Sequence, residues 1–160
     1  MESIKHNMNS VLQEIKKAHK NSNFSSLPYP NLIAVSKKQS EEKIDLAINC
    51  GQKCFGENKV QEAQQRWSKR LEMNKNIELR LIGPLQSNKV RQALNLFDII
   101  ETIDREKLAN EIAKNLNNQA KTKSFYIQIN TGSEAQKSGL NPLEADTFIE
   151  YCIRDLKLPI

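Results

Sequence analysis

The feature that most constrains the fold is a regular alternation of short strand-like segments with helical segments. The predicted strands cover residues 32–35, 53–55, 77–82, 98–103 and 125–129, and a helical pattern follows each of them. Parallel strands need helical crossovers of this kind. The alternation therefore predicts an α/β fold with a parallel sheet. An amphipathic helix precedes it, marked by apolar residues at helical spacing: Ile4, Met8, Val11, Leu12 and Ile15.

The number of units bears on which architecture of this class the chain adopts. Five strand–helix units occupy about 125 of the 160 residues, so eight units would need roughly 200–250, the usual size of a (β/α)8 TIM-type barrel. The chain is then expected to be a single barrel domain, residues 1–160, that contains about five units and is incomplete at its C-terminus. A five-stranded doubly wound domain would instead be complete, and the alternation alone does not choose between the two.

Composition and charge exclude several classes of protein. The net charge of +5 comes from lysines scattered through every segment, and aromatic residues do not alternate with basic ones, so we expect no nucleic-acid partner. No apolar run approaches the roughly 20 residues that span a bilayer, and residues 1–20 lack the apolar core of a secretory signal. We therefore expect no membrane association and a cytoplasmic location. Cys50, Cys54 and Cys152, with His6 and His19, lack metal-ligand spacing, which predicts no metal site and reduced, mostly buried thiols.

Functional residues of either architecture collect where the parallel strands end. The residues there are mainly amides, hydroxyls, glycines and lysines: Ser36, Lys37, Gly56, Glu57, Asn58, Gly83, Gln86, Ser87, Asn88, Thr102, Asp104, Asn130 and Lys137. This set holds no His or Cys, which argues against nucleophilic catalysis by a Ser–His or Cys–His pair. The sequence also lacks the glycine-rich phosphate loops of common nucleotide-binding proteins.

Lys37 is the residue at the strand ends with the most distinctive chemistry. Strand alternation puts Ile33, Val35 and Lys37 on one face of the first strand. A lysine beside branched aliphatic side chains on an inward face is desolvated, which favours the neutral amine. The neutral amine is the form that condenses with an aldehyde to give a Schiff base. The alternative is that the strand simply ends in two solvated lysines, Lys37 and Lys38.

Five short motifs, in order along the chain, carry a resemblance to a known family. They are IAVSK at 33–37, FGEN at 55–58 with VQE at 60–62, IGPLQSNK at 82–89, TID at 102–104, and IQIN at 127–130 followed by KSG at 137–139. Together they resemble the pyridoxal phosphate homeostasis protein family, and the IGPLQSNK segment is the most specific match. The resemblance covers residues 31–139, which is nearly the whole chain.

The resemblance implies a fold, a cofactor and site residues. It implies a single barrel similar to the N-terminal domain of alanine racemase, monomeric in its full-length form, that holds pyridoxal 5′-phosphate (PLP) as a Schiff base on Lys37. It further implies a carrier that maintains PLP and vitamin B6 balance, supplies PLP-dependent apo-enzymes and has no established turnover reaction. Asn58 is expected beside the cofactor. Lys137 matches a lysine that could hold a second, looser PLP, or it is an ordinary solvated loop lysine.

The chain departs from the family pattern at two points. Arg80 stands where many members have a histidine, and alternation turns it toward the barrel interior, where it would contact a phosphate or carboxylate or perturb the PLP pocket. The loops that grip the phosphate in the family lie beyond residue 160. Without the last strands the fifth strand has a free edge, so we expect the isolated chain to be unstable, oligomeric or completed by another element.

A PLP-dependent amino-acid racemase of the alanine racemase type is the alternative function. Racemisation needs a second acid–base group on the opposite face of the cofactor, often a tyrosine from another domain. The three tyrosines, Tyr29, Tyr126 and Tyr151, do not lie in the strand-end loops of the predicted fold. This distribution favours the non-catalytic carrier.

Overall fold

A computed structural model describes residues 2–160, in which five parallel strands form one sheet. The strands are β1 (Ala34–Val35), β2 (Cys54–Glu57), β3 (Glu78–Leu81), β4 (Ile99–Ile103) and β5 (Ser124–Ile127). They are hydrogen-bonded in chain order, β1-β2-β3-β4-β5. This is the order of a (β/α) barrel, whereas a doubly wound sheet reverses its order at a switch point. The predicted α/β class is confirmed, and the strand order favours the barrel architecture.

Helices follow the strands as the sequence predicts. They are α1 (Glu2–Lys20), α2 (Glu41–Asn49), α3 (Val60–Met73), α4 (Val90–Leu96), α5 (Glu106–Asn115) and α6 (Ala145–Glu150), with short 3₁₀ turns at Ser87–Lys89 and Pro142–Glu144 and a π-helical turn at Tyr151–Asp155. The side chain of Ser40 caps α2 by accepting from the Lys43 N–H at 3.4 Å, and Gly51 follows the helix with a φ of 92°. Serine at a helix N-terminus and glycine with positive φ just after a helix are both typical of these positions.

The two faces of the sheet have different surroundings. Strand alternation directs Phe55, Leu79, Leu81, Ile100 and Phe125 toward the helices, and each of them is at most 1% exposed. We call this side the covered face. The other side, the open face, carries a different set: Val35, Gly56, Glu78, Arg80, Ile99, Glu101 and Tyr126. The covered face therefore holds the apolar core, while Val35 and Tyr126 on the open face are 47% and 50% exposed.

Three further observations bear on the sequence-based predictions. No helix within residues 2–160 is long and apolar enough to cross a membrane, and these residues contain no group of His, Cys, Asp and Glu arranged to hold a metal ion. Cys152 is buried as expected, but Cys50 is exposed because it lies at the end of α2, and Cys54 is only half-buried. The carbonyl of Pro159 accepts a hydrogen bond from the Phe125 N–H at 3.0 Å, so the chain at Pro159 lies beside β5.

Candidate functional site

The site is built on the carboxyl ends of β1 and β2, which are neighbouring strands. After β1 the chain turns at residues 36–39, and the carbonyl of Ser36 accepts from the Gln39 N–H at 3.2 Å. Lys37 is exposed in this turn, and no ion pair joins it to any residue that the structure describes. Lys38 has a φ of 58°, a left-handed conformation that is uncommon for a residue with a side chain. Of the two alternatives for Lys37, a desolvated lysine or a solvated one, the structure has the solvated lysine, since the open face beside it is accessible to water.

A buried carboxylate lies directly behind this turn. Glu57, the last residue of β2, is fully buried on the covered face. Its Oε1 atom accepts three hydrogen bonds, from Ser36 Oγ at 2.7 Å, Arg66 Nη1 at 2.8 Å and Trp67 Nε1 at 3.2 Å. Its Oε2 atom has no partner among the described residues. Ser36 is itself 3% exposed, and its N–H donates to the Gly56 carbonyl at 3.0 Å. The ends of β1 and β2 are thus joined through the side chain of Glu57.

Charged residues on α2 and α3 continue outward from this carboxylate. Arg66 also contacts Glu41 on α2 at 3.3 Å, and Arg70 pairs with both Glu41 and Asp45. Burial alone would lower the pKa of Arg66, but its hydrogen bonds and charge interactions with Glu57 and Glu41 raise it above the ordinary value. The hydrogen bond from Arg70 lowers the pKa of Asp45. These ion pairs clamp α2 against α3 behind the candidate site.

Asn58 follows β2 and is held from the neighbouring loop. Gly83, just after β3, packs so closely that a Cβ atom there would lie 2.3 Å from the Asn58 carbonyl oxygen. The hydroxyl of Thr102 on β4 donates to the Gly83 carbonyl at 2.9 Å, which fixes that loop in turn. The backbone of Asn58 is therefore positioned by a contact that only glycine permits.

A cleft of about 570 Å³ opens beside Asn58 at the strand ends. Residues of the loops after β2, β3, β4 and β5 line it: Asn58, Lys59, Val60, Gln61, Pro84, Leu85, Gln86, Lys89, Asp104, Arg105 and Ser138. Arg105 joins two of these loops, because it pairs with Asp104 and donates to the Leu85 carbonyl at 2.8 Å. The cleft combines apolar walls with amide groups, cationic side chains and one carboxylate, that of Asp104, which pairs with Arg105.

Arg80 lies on the open face within β3 and not at a strand end. Its guanidinium donates to Glu78 at 2.7 Å and to Glu101 at 2.9 Å. The thiol of Cys54 donates to the same oxygen of Glu78 at 3.1 Å. Burial and the hydrogen bond to Glu78 raise the pKa of Cys54 to about 12. Arg80 thus lies on the side of the sheet opposite the helices, and its guanidinium contacts carboxylates of the chain itself.

Lys137 lies in the loop that follows β5, at the opposite side of the sheet from β1. The Asn130 side chain closes this loop by donating to the Glu134 carbonyl at 2.8 Å, and the Lys137 N–H donates to the same carbonyl at 2.9 Å. The Lys137 side chain is exposed. Among the predicted residues, the structure thus brings Lys37 and Asn58 to adjacent strand ends, while Arg80 and Lys137 lie apart from them.

Sequence reasoning missed the role of Glu57 and the contribution of Arg105. The signal for Glu57 was available, because alternation places it on the same face as Phe55, and a carboxylate at a core position needs a buried partner. Arg105 gave no comparable signal. Its contact with Leu85 joins residues 20 positions apart and depends on how the two loops pack.

Comparison with known proteins agrees with this architecture. The family described as alanine racemase, N-terminal domain, matches residues 1–158. The pyridoxal phosphate homeostasis protein of Haemophilus influenzae is 35% identical over 96% of this chain and 68% of its own length. PipY of Synechococcus elongatus, solved with PLP bound, is 26% identical with a TM-score of 0.74, covering 95% of this chain and 65% of PipY.

A more distant neighbour shares the fold alone. The histidine racemase of Leuconostoc mesenteroides is 15% identical with a TM-score of 0.66, over 98% of this chain and 38% of the racemase. The chain thus spans about two thirds of the homeostasis protein and of PipY, and a smaller part of the racemase. The match to the family over almost every residue, with a relative 35% identical, shows that the chain belongs to the pyridoxal phosphate homeostasis proteins of the alanine racemase N-terminal domain family.

Proposed function

We propose that this chain is a PLP-binding protein of intracellular PLP and vitamin B6 homeostasis, and that it holds PLP as a Schiff base on Lys37. One observation carries the proposal. Lys37 is an exposed lysine outside any ion pair of the described residues, and it follows β1 while Asn58 follows the neighbouring strand β2. The chain is also a relative of a protein solved with PLP bound. We further propose that residues 1–160 belong to one PLP-binding barrel domain.

The residues at the strand ends fit the chemistry of this cofactor. PLP supplies an aldehyde, a hydroxylated pyridine ring and a phosphate. Lys37 would supply the amine that condenses with this aldehyde, with loss of one water. The amide of Asn58 offers both a donor and an acceptor to ring substituents, and the cleft beside it contains the cations Lys89 and Arg105. The close packing of Gly83 on Asn58 keeps this edge of the site rigid.

The roles of Arg80 and Lys137 in cofactor binding stay predictions. Arg80 already pairs with Glu78 and Glu101, so a contact with a phosphate would require one of these carboxylates to be displaced. Lys137 is exposed in a loop closed by Asn130, which leaves its amine available to a second aldehyde. Lys137→Ala is expected to leave the first equivalent of PLP in place.

A carrier fits the described residues better than a racemase. Tyr29 donates to the Leu12 carbonyl, and Tyr151 donates to Asn110 on α5. Tyr126 lies on the open face of β5 and is 50% exposed. No tyrosine of residues 2–160 stands at the strand ends beside Lys37, where a second acid–base group would have to act. We propose a non-catalytic protein that passes PLP to PLP-dependent apo-enzymes in the cytoplasm, and that is a monomer in its full-length form.

Borohydride trapping tests this function. The protein is incubated with PLP, reduced, digested and analysed by mass spectrometry, with Lys37→Ala as the variant and Lys38→Ala as the matched control. We expect the pyridoxyl group on Lys37 and its loss in Lys37→Ala alone. Label spread evenly over surface lysines would refute the proposal. Interconversion of alanine or serine enantiomers by the same preparation would favour the racemase instead.

A further inference from the structure

We propose that Glu57 is a positioning residue for Lys37, acting through the hydroxyl of Ser36. The inference rests on the proposed function, because it assigns to a buried carboxylate the task of fixing the turn that carries the reactive amine. Glu57 does not touch the cofactor in this proposal. It sets the backbone from which Lys37 reaches the aldehyde.

The geometry connects the carboxylate to Lys37 in two steps. Glu57 Oε1 accepts from Ser36 Oγ at 2.7 Å, and Ser36 directly precedes Lys37. The Ser36 carbonyl then accepts from the Gln39 N–H at 3.2 Å, which closes the turn around Lys37. Ser36 is therefore held from both sides, by Glu57 through its hydroxyl and by Gly56 through its N–H. Lys37 directly follows this fixed residue and is itself exposed, as are Lys38 and Gln39.

The turn needs an anchor of this kind. Lys38 adopts a φ of 58°, and a non-glycine residue in the left-handed region persists only where the surrounding structure holds it. Strand β1 itself contributes little, because it is two residues long and pairs with β2 through Ala34 and Val35. The buried Ser36 hydroxyl joins this turn to the core, with its shorter bond to Glu57 at 2.7 Å and a longer one to the Gly56 carbonyl at 3.4 Å.

Stability alone does not explain a carboxylate at this position. Burying a charge is costly even when it is paired, and an apolar side chain at such a place is often neutral or stabilising. One carboxylate oxygen of Glu57 accepts three donors while the other has no partner among the described residues, so the group is not fully satisfied. What the carboxylate does provide is a fixed distance between the ends of β1 and β2, which carry Lys37 and Asn58.

Two variants and their combination test this role. Ser36→Ala removes the donor, Glu57→Leu removes the acceptor, and the double variant removes both. The measurement is the rate at which PLP labels Lys37, followed by the visible absorbance of the Schiff base and located by borohydride trapping. Displacement of a reacting group by about 1 Å can slow a reaction by about a hundredfold, so we expect each single variant to be about tenfold to a hundredfold slower. The double variant is expected to be no slower than the slower single variant, because both act on one contact.

Two further variants separate positioning from folding. Glu57→Gln keeps a carbonyl oxygen for the Ser36 hydroxyl, so it is expected to recover most of the rate lost in Glu57→Leu. Asp45→Asn weakens the α2–α3 ion pair with Arg70 without touching Ser36, and it is the control for a general loss of stability. Its labelling rate is expected within about twofold of the wild-type rate at a temperature where all variants are folded. Should Glu57→Leu fail to fold, Ser36→Ala with Glu57→Gln decides the matter.

The outcomes distinguish the two proposals. Wild-type labelling at Lys37 that is unchanged in Ser36→Ala overturns the positioning role and leaves the proposed function in place. Labelling that falls in Asp45→Asn as much as in Ser36→Ala shows that only stability matters and also overturns it. A wild-type chain whose Lys37 takes no label overturns the proposed function, and the positioning role with it.

Discussion

The covered and open faces of the sheet are built from the same strands but differ in burial and in the side chains they carry. On the covered face, Phe55, Leu79 and Ile100 are at most 1% exposed and pack against helices. On the open face, Arg80 pairs with Glu78 and Glu101, and Tyr126 is half exposed. The covered face thus holds the apolar contacts that stabilise the fold. Exposed apolar groups and charges share the open face, whose strand ends meet the candidate site.

The largest difference in stability between the two faces is expected when an aromatic side chain of each is replaced by alanine. Trp67 on α3 is fully buried, with its ring centroid 4.7 Å from that of Phe55 on the covered face. Trp67→Ala is therefore expected to lower the free energy of unfolding by about 3–5 kcal/mol, through lost burial and a cavity. Tyr126→Ala on the open face is expected to lower it by less than about 1 kcal/mol. Urea denaturation measures both, and equal losses would mean that the open face is covered in solution.

Two glycines, Gly83 and Gly56, show how much space for an added side chain exists in each region. A Cβ at Gly83 would meet the Asn58 backbone, with its carbonyl oxygen 2.3 Å away, whereas a Cβ at Gly56 on the open face would meet the tip of Ile82 at 2.8 Å. The Asn58 backbone cannot move aside as the end of the Ile82 side chain can. Gly83→Ala is therefore expected to lower the free energy of unfolding by about 1–3 kcal/mol, and Gly56→Ala to lower it clearly less. Thermal unfolding of both variants checks the order. A larger loss for Gly56→Ala would show that Ile82 is fixed by neighbours.

The ion pairs of the open face should make part of the free energy of unfolding depend on pH, which contacts of the apolar core do not. Burial alone would raise the pKa of Glu78, but hydrogen bonds from Arg80 and Cys54 lower it below the usual value of 4.5. A lowered folded pKa means that the unfolded chain binds more protons, so this stabilisation is present above pH 4.5 and is lost as the pH falls through the folded pKa. Glu78→Gln is expected to cost about 1 kcal/mol or less at neutral pH.

The measurement is the unfolding free energy of wild type and Glu78→Gln from neutral to acidic pH. The gap between the two proteins should close below pH 4.5, where the wild-type carboxylate takes up its proton. Leu79→Ala is the matched control on the same strand, since its loss arises from burial and should not vary with pH. If the difference in unfolding free energy between wild type and Glu78→Gln persists in acid, the loss in Glu78→Gln comes from packing and not from charge.

The sequence predicted what depends on neighbours along the chain. The capping by Ser40, the stop at Gly51 and the parallel strands all follow from local pattern, and the motifs placed Lys37 and Asn58 at strand ends. It did not predict contacts set by register between strands and helices. Ser36 contacts Glu57, and Arg80 contacts Glu101, and each pair is separated by 21 residues in the sequence. These contacts exist only once the sheet has formed. Alternation could not decide between a desolvated and a solvated Lys37, because it assigns a face and says nothing of what covers that face.

The smallest expected change in unfolding free energy is for a substitution in the turn after β1, which carries Lys37. Lys38→Gly removes the side chain from a backbone with φ of 58°, which relieves strain but leaves the unfolded chain with more freedom to lose. We expect a net gain in unfolding free energy of less than about 1 kcal/mol. Lys38→Ala keeps the strain and serves as the control. If the turn is held by the Ser36–Glu57 bond, the Lys37 labelling rate should be the same in both variants, whereas a slower rate in Lys38→Gly alone would show that backbone stiffness at Lys38 also positions the amine.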